Sequence, residues 1–253
     1  MNRHQIVYRT YSLTGRALPY AGPGWSLFCA ADLAVSGIRL GLSLPVIGIG
    51  SAAIASTGAL YYNQIKCRLI LNSQIRATQD ETQYPYQHAS QVLIFDEAGL
   101  DELLEKTRAE WTLEWGTVFD AVARDGTVGI GRILSSSAAV RRGFCAPKHN
   151  KKIDVNILAA ENEGFRGDHH FHPSHNVYGM PNGPRAHNYY VRDGDRIGAA
   201  GNWLGLLSFN MTDGPELIGY NSRYTYLPAD RTKTRLVRAT DRDIMDYLGK
   251  ISC

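Results

Sequence analysis

Half of the chain's eight histidines fall within residues 167–175, which read Gly-Asp-His-His-Phe-His-Pro-Ser-His. Imidazoles gathered this densely suit a metal ion. Catalytic zinc takes three protein ligands from histidine and carboxylate side chains and leaves a fourth position open. In an extended segment residues i and i+2 face the same way. His170 and His172 can therefore grasp one ion together, while His169 points to the other side. Pro173 then ends regular strand pairing and turns the chain away. His169 and His175 read as surface residues or as supports for the two ligands. Asp168 is a further candidate for that supporting role.

The elements around this segment follow from periodicity and punctuation. Residues 92–96, VLIFD, read as a short strand. Residues 97–109 place Leu100, Leu103 and Leu104 at helical spacing, with acidic residues early and Lys106 and Arg108 late, as the helix dipole favours. Residues 111–123 are aromatic and β-branched, and Asp125-Gly126 is a hairpin signal leading into a partner strand that begins at Thr127. Residues 154–160 form another strand candidate, and 195–204 a short helix. Two strands flank Asp213-Gly214. The segment 239–251 carries an early aspartate and an apolar face of Ile244, Met245 and Leu248, which predicts a helix.

Taken together, residues 108–227 resemble the JAMM-type metallopeptidases. That family carries H-x-H-P, then a loop, then S-x-x-D opening a helix of small residues, with a glutamate on an upstream strand segment. The corresponding residues here are His170-Phe171-His172-Pro173, then Asp195 followed by Ile197, Ala199 and Ala200, with Glu114 upstream. The resemblance implies that His170, His172 and Asp195 hold Zn²⁺. It also implies that a metal-activated water attacks an amide carbonyl, with Glu114 as general base and then acid. Glu110 competes with Glu114 for that role, and Asp193 with Asp195 for the metal. The family serine is replaced by Arg192, or by Tyr190 if Asp193 is the ligand. Arg192, Tyr190 or Ser174 would then supply the oxyanion or substrate contact. The stretch from Pro173 to Asp195 is longer than the family loop and reads as an insertion.

The fold implied is α/β (α+β), a mixed, curved sheet flanked by helices as in JAMM and cytidine-deaminase domains. The function implied is a zinc peptidase or isopeptidase acting on a protein or peptide, in the setting of a bacterial toxin or effector. The alternatives are a metal hydrolase of another amide, such as peptidoglycan, and a catalytically inactive binding module on the same fold.

Composition bounds the rest. With 253 residues, 44% apolar and 20% charged, the chain is typical of a globular protein. A net charge of +3 without a dense basic run gives no reason to expect nucleic acid. Cys29, Cys67, Cys145 and Cys253 form no C-x-x-C pair, so a zinc knuckle or a disulfide framework is not expected. Residues 1–76 read as an apolar helical region, 77–91 as a polar linker, and 92–253 as the metallohydrolase domain. No charge occurs between Arg39 and Lys66. Residues 40–62 are therefore long enough to contact or span a membrane, although Gly, Ala, Ser and Pro45 suit a buried hairpin equally. The location expected is a membrane-associated or translocated bacterial effector, otherwise cytoplasmic.

Overall fold

The computed structural model describes residues 43–142, 165–174, 190–201 and 203–250, with short pieces of the first 41 residues. Side chains at 55–61, 63–64, 113, 135–142 and 165 lie outside that description. The strand expected at 154–160 and most of the loop insertion, 175–189, also lie outside the described residues.

Two compact units divide the chain: Met1–Tyr8 with Gln74–Cys253, and Arg9–Ser73. The described part of the second unit is helical. It holds most of α1 (Leu44–Ala77), and Leu33 packs close to Gly50. This corrects the expectation that residues 40–62 could span a membrane. No described helix is long and apolar enough to cross a membrane. The uncharged half of α1 is diluted by Gly, Ala and Ser, and Lys66, Arg68 and Arg76 follow in the other half.

The first unit is built on eight strands: β1 (Gln91–Ile94), β2 (Leu113–Arg124), β3 (Thr127–Arg142), β4 (Phe165–His172), β5 (Leu204–Met211), β6 (Gly214–Tyr220), β7 (Thr225–Pro228) and β8 (Arg235–Arg238). Helix α2 (Glu97–Ala109) follows β1, α3 (Asp193–Gly198) precedes β5, and α4 (Asp241–Lys250) follows β8. The strands run in the order β1-β3-β2-β4-β5-β6-β7-β8 and close into a barrel. The expectation of an open curved sheet flanked by helices is thus overturned. Closure is made by β8, which pairs antiparallel with both β7 and β1. The barrel is mixed, because β1–β3 and β4–β5 are parallel.

Period-2 alternation sorts the side chains. One face of all eight strands enters a single core with Leu100 and Leu103 of α2. Trp115, Phe119, Ile130, Phe171, Leu206 and Leu217 belong to it. The opposite face of β5, β6 and β7 presents Leu207, Phe209, Ile218, Tyr220 and Leu227 to a second cluster, which Val191, Ala199, Ile244 and Leu248 complete. His170 and His172 alternate with Phe171, so they stand on this second face.

Local signals explain the main boundaries. The Asp96 carboxylate accepts from the Gly99 amide and from the Ile133 amide, so it caps α2 and ties it to β3. Asp125 and Gly126 both take positive φ (51° and 72°), as the tight β2–β3 hairpin requires. Residues 77–91 hold buried groups: the Tyr86 hydroxyl donates to the Ala121 carbonyl, and the Gln87 amide donates to the Ala199 carbonyl while accepting from Ser222.

Gly167 on β4 marks a close approach. A Cβ there would lie 2.1 Å from the Phe119 ring and 2.6 Å from the Leu204 carbonyl oxygen. The backbone oxygen cannot yield as a side chain could. Gly167→Ala is therefore expected to cost about 1–3 kcal/mol of stability, read as a lower urea midpoint at unchanged slope.

Candidate metal centre

β4 lies between β2 and β5, so both neighbours help to set its histidines. The registers are Gly116↔His170 on one side and His170↔Leu207, His172↔Phe209 on the other. Both imidazoles are buried. Their Nε2 atoms are 3.1 Å apart, and the rings meet edge to face with centroids 4.8 Å apart.

The third group arrives from α3. Asp195 stands in the first turn of that helix. Its Oδ1 is 3.4 Å from His170 Nε2, and its Oδ2 is 4.0 Å from His172 Nε2. The Arg192 amide donates to Asp195 Oδ2 at 2.8 Å, which fixes the carboxylate at the helix start. Burial works to raise the Asp195 carboxyl, but the two imidazoles and the Arg192 charge outweigh it and hold it well below the usual carboxylate range.

One ligand atom from each of His170, His172 and Asp195 lies within 4.8 Å of the others, so this buried group could hold a metal ion. The nitrogens are 3.1 Å apart, while the carboxylate meets them unevenly, Oδ1 at 3.4 Å from His170 and Oδ2 at 4.0 Å from His172. In metal-free protein the two nitrogens at 3.1 Å are within hydrogen-bond distance and can share a proton, which a bound metal ion would replace.

Of the two competing aspartates, Asp195 reaches the imidazoles, while Asp193 is buried as the first residue of α3. Glu114 lies on β2 two residues beyond the last β2–β4 pair, Gly116↔His170. Continuing that register sets it opposite His172. Its neighbour Trp115 enters the barrel core, so Glu114 occupies the face that carries the two histidines. Glu110 serves the backbone instead. Its carboxylate accepts from the amides of Trp111 and Thr112 and turns the chain between α2 and β2.

Of the remaining candidates, Arg192 contributes its amide to Asp195 and is exposed. Tyr190 is buried and stands edge-on to Tyr8, with ring centroids 5.5 Å apart. Ser174 is partly buried just after Pro173, and His175 lies outside the described residues. Two of the expected support residues are engaged elsewhere. Asp168 accepts from the Trp203 indole, and His169 meets Ser208 Oγ, which meets Thr107 in turn. The group on His170 Nδ1 is the Tyr220 hydroxyl, 3.2 Å away. Nothing in the local sequence marks Tyr220, because it is brought to β4 only by strand pairing.

The depressed Asp195 carboxyl has a consequence for metal-free protein. A carboxyl whose pKa is lowered in the folded state stabilises the fold above its ordinary value of 3.8, and this stability is lost as pH falls through the folded value. Urea melts of metal-free protein between about pH 5 and pH 2 are expected to show a steep acid loss that Asp195→Asn flattens. Parallel profiles for the two proteins would contradict the assignment.

No protein-family model matches this chain, and no curated protein does.

Proposed function

We propose that this chain is a zinc-dependent hydrolase of amide bonds in proteins or peptides, a JAMM-like peptidase or isopeptidase. The observation that carries the reading is the convergence of His170 Nε2, His172 Nε2 and an Asp195 carboxylate oxygen, with Glu114 on the neighbouring strand and the same face. Two imidazoles and one carboxylate suit zinc, whereas calcium and magnesium prefer oxygen ligands. A zinc ion bound there supplies Lewis acidity: it lowers the pKa of bound water towards neutrality and polarises a carbonyl.

The chain's own residues do the rest. His170 and His172 bind through Nε2. Asp195 adds a negative charge, kept in place by the Arg192 amide. Glu114 takes the proton of the attacking water and returns it to the leaving amine. Pro173 follows the last residue of β4 and keeps His172 at the strand terminus.

A second reading rests on Arg192, which stands where the resembled family has its oxyanion serine. On that reading the protein binds metal and a partner without cleaving it.

Elemental analysis of purified protein is expected to find about one zinc per chain. Chelation should abolish cleavage of peptide and isopeptide reporters, and added zinc should restore it. Stoichiometric zinc without cleavage favours the binding module. Absence of any stoichiometric metal removes the basis of both readings.

A further inference from the structure

Tyr220 and Gly205 form a device that the ligand set alone does not require. Tyr220 ends β6, and β5 separates that strand from β4. The registers align Asp168, Gly205 and Tyr220 across the three strands. A tyrosine at this place would ordinarily meet the β5 side chain beside it. Here that residue is glycine, and the ring occupies the space a side chain would fill. A Cβ on Gly205 would lie 2.1 Å from Tyr220 Cζ and 2.5 Å from both Cε atoms. The ring thus crosses over the β5 backbone towards β4. Its hydroxyl arrives 3.2 Å from His170 Nδ1, and the rings stand edge-on with centroids 5.9 Å apart. Both side chains are buried.

We infer that Tyr220, admitted by Gly205, is a positioning residue that locks His170 in the Nδ1–H tautomer and so presents the Nε2 lone pair to the metal. The inference rests on the metal reading above. Its logic is that of hydrogen bonding. An imidazole that binds metal through Nε2 carries its proton on Nδ1, and that proton needs an acceptor in a buried place. The Tyr220 oxygen lies 3.2 Å from Nδ1 and can accept that proton. Supporting groups of this kind typically contribute about 10–100-fold to metal affinity. The cost is borne by β5: the glycine gives up side-chain packing in the middle of a strand, at the one register position where the ring must pass.

The test compares zinc affinity of wild type, Tyr220→Phe and Gly205→Ala by competition with a chromophoric chelator. Tyr220→Phe keeps the ring over Gly205 and deletes only the hydroxyl. It is expected to weaken zinc binding by about 10–100-fold while the metal-free protein still unfolds in one cooperative transition. Gly205→Ala is expected to weaken zinc at least as much, because it displaces the ring. A spectroscopic measurement on wild type does not depend on any variant folding. In ¹⁵N-labelled, zinc-loaded protein, His170 should show a protonated Nδ1 whose proton exchanges slowly, and Tyr220→Phe should lose that protection.

Zinc bound equally tightly by wild type and Tyr220→Phe leaves the metal reading standing and overturns the lock. So does an Nε2–H tautomer of His170 in the loaded wild type. Wild type that binds no zinc overturns the metal reading and the lock together.

Discussion

His170→Ala and His172→Ala should each release the zinc that the wild-type chain is expected to retain through purification. Each variant removes one of two buried imidazoles whose Nε2 atoms lie 3.1 Å apart, and leaves a site with one nitrogen and the Asp195 carboxylate. The affinity loss should exceed the roughly 10–100-fold that follows from deleting a supporting group, since here a bond to the metal itself is gone. Thermal unfolding separates this from damage to the fold. Metal that binds only the folded state stabilises it by about 4 kcal/mol at a thousandfold excess over Kd. Wild type should therefore show a large zinc-dependent rise in Tm, and the two variants almost none. A full zinc response in either variant would mean that the metal is held elsewhere. Loss of the metal-free transition itself would mean that the imidazoles are packing residues of the second core.

The contrast between His169 and its neighbours explains why this group of residues is legible in the sequence. The H-x-H spacing is local, and strand alternation alone separates His170 and His172 from His169 and Phe171. Asp195 enters only through the resemblance, in competition with Asp193, and the structure separates the two by placing Asp195 in the first turn of α3 within reach of the imidazoles. α2 and α4 also announce themselves, through Leu100, Leu103 and Leu104 at helical spacing and through the apolar face of Ile244, Met245 and Leu248. The structure adds the Asp96 cap and the pairing of the Thr240 hydroxyl and amide with Asp243. Closure of the barrel is a different kind of fact. It depends on β1–β8 hydrogen bonds between Gln91 and Val237 and their neighbours, and β8 is a four-residue strand with arginine at both ends. Short strands of this composition carry no periodic signal. Without β8, pattern alone predicts an open sheet where the chain makes a closed one.

Tyr220 is hidden from the sequence for the same physical reason. Its role depends on a register across three strands and on a glycine whose value lies in what it lacks. Neither property appears in a window of neighbouring residues. The segment after Asp213-Gly214, whose pattern predicts one strand, is in fact β6 and β7 with a bend between them. There the Asn221 side chain accepts from the amides of Arg223 and Tyr224. Asn221 also donates to the Tyr86 carbonyl and to the Tyr226 hydroxyl. That bend ends β6 at Tyr220, whose hydroxyl meets His170. Part of the site's precision therefore originates in a buried amide that a motif search passes over.

Glu114→Gln should keep zinc, keep the fold and lose most turnover. Glutamine has nearly the same volume and can still hydrogen-bond, but it cannot accept and return a proton at neutral pH. General acid–base catalysis typically contributes about 10²–10⁴-fold, so kcat is expected to fall by about that factor, equivalent to about 3–5 kcal/mol of transition-state stabilisation. KM should change little, because the carboxylate is assigned to proton transfer rather than to uniform substrate binding. Three measurements make the assignment specific. Elemental analysis should return the wild-type zinc content, since Glu114 is not among the converging ligands. Glu110→Gln, at the residue whose carboxylate caps the turn before β2, should lower stability rather than the chemical step. Single-turnover kinetics should locate the Glu114→Gln defect in bond cleavage and not in product release. Unchanged turnover would remove Glu114 from the mechanism, and loss of zinc would make it a ligand. A variant that binds its target without cutting it is also the best means of finding that target. Proteins captured by Glu114→Gln, and cleaved only when the wild-type chain is present, would be the substrates. If wild type and Glu114→Gln captured the same partners and neither cleaved them, the chain would be the metal-bound binding module that Arg192 in the serine position suggests.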